Sequence, residues 1–363
     1  MNIVLTGFMG CGKTTVGKAL AEKIKKRFID TDELIQKTAG KTISEIFAEQ
    51  GEKKFRKLES KTISQVSKLD NQVIATGGGS VLNPENLKVL NRNGVILFLN
   101  TSNDVILKRI ENQKNRPLMS VQNQKKQVQK LMKKRMPFYT QADYILDANC
   151  SITEIVNEIQ RLLCNLQVCT TVTNKKELAK ALEFETDLIE LRLDQLHENL
   201  NELITISSVP VIVKVQFLNQ LPEVIRSPAA IVDLDIEQAD DFAIQQIRRK
   251  QKLVLLSFHD FQKTPSLAQL TKILNQQMQN ADIGKIVTLG TNTEDIDAII
   301  GLLKIAKNAG FPLIAFLMGE SQKHTRTLMC LKGSLLTYAH VNQPLAVGQS
   351  SLQELKQKEA CSV

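Results

Sequence analysis

Short apolar runs alternate with amphipathic stretches along the whole chain. In the first part, Asn2–Thr6, Arg27–Asp30, Val73–Thr76 and Val95–Asn100 read as strands. The run Ile152–Leu163 places apolar residues at helical spacing. Apolar strands separated by helices predict a parallel sheet covered by helices. From about Leu166 the rhythm tightens. Gln167–Val172, Leu188–Asp194, Val209–Gln216, Ala230–Glu237, Leu253–His259, Ile283–Leu289, Pro312–Met318 and Leu335–His340 are eight further strands. Helical patterns fill most of the gaps, which predicts a (β/α)8 barrel. The gap Phe217–Ala229 has room for about one short helix. The expected domains are 1–165 and 166–363. Their join carries no Gly-, Pro- or Ser-rich linker, so the two are expected to sit close together.

Composition adds little to this picture, but charge adds an asymmetry. With 42% hydrophobic and 23% charged residues, the 363-residue chain has ordinary globular composition. It has no apolar run long enough for a membrane helix, and its N-terminus enters a strand at once, so a soluble cytoplasmic protein is expected. Six scattered cysteines without a CxxC pair suit free thiols. The net charge of +9 is concentrated at the front: residues 1–165 hold 27 Lys and Arg against 16 Asp and Glu. Aromatics are only 4% and Trp is absent, so no stacking platform for nucleic acid is evident. Small anionic substrates are the expected partners.

Gly7-Phe8-Met9-Gly10-Cys11-Gly12-Lys13-Thr14-Thr15 matches G-x-x-x-x-G-K-[ST] between a strand and a helix. The glycines, Gly10 and Gly12 among them, let backbone N–H groups converge on phosphate oxygens. Lys13 reaches the β- and γ-phosphates of ATP, the Thr14 hydroxyl suits Mg²⁺, and Thr15 extends the same loop. Asp30 and Asp32, read as alternate residues at a strand end, would share a face. One carboxylate suits the metal and the other an acceptor hydroxyl, although a helix N-cap uses the same residues. Arg56, the bare backbone of Gly77-Gly78-Gly79, Arg116 and Arg135 follow. Arg116 lies in a polar stretch, Glu111–Gln127, expected to act as a lid. Several arginines beside a phosphate loop suit an anionic acceptor.

In order, GFMGCGKTT, DTD, FRKLE, TGGG, NRPLM and KRMPFY resemble shikimate kinase over nearly all of residues 1–165. The resemblance implies a P-loop NTPase-type domain. It implies that Lys13, Thr14 and Asp30 serve ATP and Mg²⁺, and that Asp32, Arg56, Gly78, Gly79 and Arg135 hold shikimate. Asp32 would sit on the reacting hydroxyl, and Arg116 would close over the phosphates. Phe47 and Phe55 are expected either beside the ring or in plain core.

In a (β/α)8 barrel the chemistry sits at the carboxyl ends of the strands. Those ends carry Glu190, Arg192 and Asp194, then Asp233 and Asp235, His259, Lys285 and Gln349. A lysine among apolar strand residues is expected in the barrel core, where burial lowers its pKa and frees a nucleophilic amine. A strand-end histidine could move protons beside it. IELRLD, VDLD, LLSFHDF, NADIGKIVTLG, FLMGES, HTRTL, KGSLLTYAH and VGQ resemble type I 3-dehydroquinate dehydratase across residues 166–363. The resemblance implies a Schiff base on Lys285, proton transfer by His259, orientation of His259 by Glu190, and substrate carboxylate on Arg326. Arg192, Met318 and Gln349 would line the pocket.

The chain departs from that family where Lys214-Val215-Gln216 replaces a Thr-x-Arg strand end and Leu345 replaces a serine. Lys214 is expected to bring its ammonium toward the lost guanidinium position. The resemblances imply a bifunctional enzyme of the shikimate pathway. The alternative is a kinase carrying a catalytically inert barrel.

Overall fold

The computed structural model describes residues 1–111, 124–344 and 346–360. Its backbone separates into two compact units, Met1–Leu162 and one starting at Leu163.

The first unit is built on five parallel strands: β1 (Asn2–Thr6), β2 (Arg27–Asp30), β3 (Gln72–Ala75), β4 (Gly94–Asn100) and β5 (Tyr144–Asp147). Their order in the sheet is β2-β3-β1-β4-β5. The central strand β1 is buried at every position, and β4 is buried from Gly94 to Leu99. This is the continuous apolar pattern of strands covered on both faces. The carboxyl ends of β1, β2 and β3 lead into the phosphate loop, Asp30 and the Gly77–Gly79 run, so these three segments meet at one edge.

Two details differ from the expected elements. The short edge strand β5 was not anticipated, because its burial is interrupted and, among the described residues, it pairs only with β4. Asp30 and Asp32 do not alternate along a strand. β2 ends at Asp30, whose carboxylate caps the helix Thr31–Ala39 by accepting from the N–H groups of Asp32 and Glu33. Asp32 therefore stands in the first helical turn.

The helix Ile43–Val66 opens with a capping box, Thr42 with Glu45. It is broken by Gly51 at φ 72° and ψ 168°, a conformation open almost only to glycine. The segment after the kink carries Phe55, Arg56 and Glu59.

The second unit contains β6 (Val168–Val172), β7 (Leu188–Arg192), β8 (Val211–Lys214), β9 (Ile231–Asp235), β10 (Leu253–Asp260), β11 (Ile283–Leu289), β12 (Leu313–Met318), β13 (Thr337–His340) and β14 (Ser350–Ser351). All eight expected strands are present, most of them shorter at one or both ends. They form one parallel sheet in the order β12-β11-β10-β9-β8-β7-β6-β13-β14. The sheet curls so that the last long strand, β13, pairs with the first, β6. Between β12 and β13 the link is sparse. Leu335 N–H donates to Leu313 C=O at 2.8 Å, and Ala315 N–H donates to Ser334 Oγ at 3.1 Å.

The Phe217–Ala229 gap holds a single 3-10 turn and the six-residue helix Leu221–Arg226. Among the described residues, no helix is long and apolar enough to cross a membrane.

Candidate active sites

In the first unit, positive φ at Gly7 (145°), Gly10 (78°) and Gly12 (104°) bends the phosphate loop. The helix Lys13–Lys23 starts directly after it, so its first N–H groups point into the loop. The Lys13 ammonium donates to the carbonyls of Gly7 and Phe8 at 2.8 and 2.9 Å. Thr15 is exposed on the first turn. The Thr14 hydroxyl donates to Asp30 Oδ2 at 2.7 Å, which sets two hard oxygens side by side. Among the described residues, no three His, Cys, Asp or Glu side chains gather as a metal cage. A hydroxyl and one carboxylate fit Mg²⁺, which binds few protein oxygens and keeps waters or substrate phosphates.

The glycine run is ringed by the expected acceptor residues. A Cβ on Gly77 would lie 2.6 Å from Asp32 Oδ1, and one on Gly79 would lie 2.6 Å from Arg56 Nη1. Arg135, 6% exposed, donates from Nη1 to the Gly78 carbonyl at 3.1 Å. Its guanidinium lies 5.6 Å from the Phe8 ring centroid. Its Nε is buried without a hydrogen-bond partner among the described residues. Phe55 is buried with Ile35 and Ile46, and Phe47 packs on it at 4.8 Å, so this aromatic pair builds core.

Sequence reasoning missed three residues here. Glu59 is buried and holds both Arg56 (2.9 Å) and Ser80 (2.7 Å). Tyr139 donates to the Gly78 carbonyl at 2.6 Å, and burial pushes its pKa up to about 12. Arg109 donates to the carbonyls of Gly10 and Cys11 at 3.3 and 3.1 Å. The glutamate of FRKLE and the tyrosine of KRMPFY lay inside motifs already singled out. Arg109 has no local signal, since its partners lie about 100 residues away in sequence. Arg116 and most of the expected lid lie outside the described residues.

The second unit carries an open pocket of about 920 Å³ at the carboxyl ends of its strands. Glu190, Arg192, Lys214, Gln216, Asp235, His259, Lys285, Met318, Arg326 and Gln349 all line it. Lys285 Nζ donates to Glu190 Oε1 at 2.9 Å and to Asp233 Oδ2 at 3.2 Å. It also lies 4.3 Å from the Tyr338 ring centroid. Glu190 Oε2 accepts from Thr171 at 3.1 Å. Arg326, 4% exposed, lies against the Phe316 ring at 4.7 Å and donates to the Val347 carbonyl at 3.2 Å. Burial pulls its pKa down to about 10, and its Nε has no hydrogen-bond partner among the described residues. Arg192 is tied to Asp194 at 3.2 Å.

Three expectations are corrected by this geometry. The Lys285 pKa does not fall. Burial alone would lower it, but the adjacent Glu190 and Asp233 carboxylates outweigh burial and raise it. Glu190 does not orient His259. It is bonded to Lys285 and Thr171, and the acid beside His259 is Asp235, with Nδ1 to Oδ2 at 3.9 Å. Lys214 does not stand free in place of a guanidinium. It is 7% exposed, and its ammonium is bound to Asp233 Oδ1 at 3.0 Å and Ser257 Oγ at 2.6 Å. Leu345 lies outside the described residues. For His259, burial lowers the pKa and Asp235 opposes it, and the net shift is downward. Asp235, Tyr338 and Ser257 are functional neighbours to which the sequence reading gave no role.

Comparisons with known proteins place both halves. The family model for shikimate kinase matches residues 9–164, and that for type I 3-dehydroquinase matches residues 163–359. A shikimate kinase of Caldanaerobacter subterraneus subsp. tengcongensis is 48% identical over 167 residues, covering 46% of this chain and 98% of that protein. One from Caldicellulosiruptor bescii is 50% identical over 157 residues, 43% of this chain and 91% of its own length. The crystal structure of 3-dehydroquinate dehydratase from Geobacillus kaustophilus HTA426 matches with a TM-score of 0.50 at 21% identity. It covers 54% of this chain and 90% of that one, which supports the fold of the second unit. The chain therefore belongs to the shikimate kinase family through its first half and to the type I 3-dehydroquinase family through its second, a kinase and a lyase of the shikimate pathway in one polypeptide.

Proposed function

We propose that residues 1–165 transfer the γ-phosphoryl group of ATP to shikimate, and that residues 166–363 dehydrate 3-dehydroquinate through a Schiff base on Lys285. For the kinase, Thr14 and Asp30 would hold Mg²⁺, whose charge neutralises phosphate oxygens. Gly10, Gly12 and Thr15 belong to the loop that receives the phosphates, and Lys13 supplies a mobile cation. Asp32 accepts the proton of the attacking hydroxyl. Arg56 and Arg135 clamp the acceptor carboxylate against Gly78 and Gly79. Little covalent work falls to the protein in such a transfer, so placement and charge carry the rate.

In the barrel, Lys285 must first give up a proton. Its amine then attacks the ketone carbon, the released proton returns to the carbinolamine oxygen, water leaves, and a protonated imine forms. The positive imine acidifies the neighbouring C–H, and His259 takes that proton. The resulting enamine expels the hydroxyl, which leaves as water with the proton from His259. A second water hydrolyses the imine and frees Lys285. The depressed pKa of His259 keeps it neutral, and so basic, at pH 7. Arg326 is the buried cation suited to the substrate carboxylate, with Arg192, Met318 and Gln349 around it. The observation that carries the barrel reading is a buried lysine that lines a pocket of about 920 Å³ and sits between two carboxylates. No observation favours the inert barrel.

The test is borohydride reduction of the whole chain with 3-dehydroquinate, followed by peptide mass mapping. An adduct on Lys285 is expected, and a folded protein with no adduct would overturn the reading. For the kinase, ATP and magnesium with shikimate should yield the 3-phosphate. Failure of the purified protein to make it would remove that half.

A further inference from the structure

The charged cluster beside Lys285 holds one more cation than Schiff-base chemistry uses. Asp233 is wholly buried and divides its carboxylate, Oδ1 accepting from Lys214 at 3.0 Å and Oδ2 from Lys285 at 3.2 Å. The Ser257 hydroxyl donates to the Leu234 carbonyl at 3.2 Å, so its lone pair faces Lys214, 2.6 Å away. Lys214 is thus the donor in both of its bonds and is ion-paired with Asp233. The other titratable groups around Lys285 are Glu190 on β7, Cys169 on β6, His259 on β10 and Tyr338 on β13, with Arg192 at the rim end of β7. Burial pushes the Cys169 thiol and the Tyr338 phenol well up, so both stay neutral. The inner cluster is therefore two carboxylates and two ammoniums.

We propose that Lys214 is a positioning residue for the lyase reaction: by sharing Asp233, it lets the Lys285 amine give up its proton. The inference rests on the reading of Lys285 as the Schiff-base amine. With Lys285 neutral, Lys214 balances one of the two buried acids. Without Lys214, both acids would face an uncharged amine, and the proton would be held far more tightly. Once the protonated imine forms, positive charge returns to the same place and the cluster is again neutral. Lys214 thereby acts on the nucleophile rather than on the substrate carboxylate.

The experiment uses the full chain without substrate. Formaldehyde and cyanoborohydride methylate neutral amines, and peptide mass mapping gives the rate at Lys285 against pH. Borohydride trapping with 3-dehydroquinate is followed in parallel. Lys214→Met is expected to move the Lys285 midpoint up by about one unit or more and to lower kcat about tenfold near neutral pH. Lys214→Arg should keep the original midpoint. The double variant Lys214→Met with Asp233→Asn removes one charge of each sign and should return the midpoint toward the original. A Lys214→Met protein with an unmoved midpoint and only a raised KM would overturn the proposal. If that variant does not fold, the double variant decides: an original midpoint supports the proposal, and one displaced upward overturns it. Absence of trapping in the unmodified chain would sink the Schiff-base reading alone, because the methylation midpoints still report the coupling.

Discussion

Gly79 shows how a single missing methyl can shape a site. A Cβ there would lie 2.6 to 3.0 Å from the Arg56 guanidinium, while the backbone at φ −108° accepts any residue. The clash falls on a movable side chain, so Gly79→Ala should fold normally and displace Arg56. We expect the KM for shikimate to rise about tenfold, a loss of about 1.4 kcal/mol, with the KM for ATP unchanged. Steady-state kinetics in both substrates checks this. Asp233 offers a pH test. Burial raises its pKa, but Lys214 and Lys285 draw it down from 3.8 to about 2. Its stabilising contribution is complete above pH 3.8 and is lost as the pH falls through about 2. Thermal unfolding between those values should show this acid loss, and Asp233→Asn should lack it. Residues such as Lys13, Arg56 and Lys285 were legible in the sequence because their chemistry travels with local motifs. The direction of the Lys285 shift was not. Its two acids stand 95 and 52 residues away, and only folding makes them neighbours.

At the scale of elements, the strands were legible because parallel sheets demand unbroken apolar runs, as in Val95-Ile96-Leu97-Phe98-Leu99. The edge strand β5 escaped because only Leu146 among its residues is buried. The Asp30–Asp32 pair was misplaced because a strand and a helix meet between its members, and capping chemistry governs that junction. The kink at Gly51 was equally hidden, since glycine inside a helical pattern does not announce its dihedral angles. Beyond its own stretch of chain, no heavy atom stands within 4 Å of a Cβ built there, so Gly51→Ala meets only backbone strain. We expect a loss of about 1–3 kcal/mol in stability, read by chemical denaturation. The helical segment carrying Arg56 should also shift, which weakens shikimate binding. Thr42→Ala, which removes the cap of the same helix, should cost about 1 kcal/mol without altering the kinase kinetics.

For the whole molecule, the two sets of reacting groups lie in separate compact units, and each unit matches its own family. Lys13→Met should abolish shikimate phosphorylation and spare dehydration, and Lys285→Met should do the reverse. Parallel assays of both reactions on each variant check this, and cross-inhibition would reveal coupling between the halves. The basic excess of residues 1–165 fits a half whose ligands are a polyphosphate and a carboxylate.

The shared acid in the barrel also bears on how that half assembles. Glu190, Lys214, Asp233 and Lys285 come from four different strands, and all four are buried in the folded unit. A partly built sheet with one of the four absent would strand an ion in oily surroundings. Intermediates missing β7, β8, β9 or β11 should therefore be sparsely populated, and the barrel should close as one concerted event.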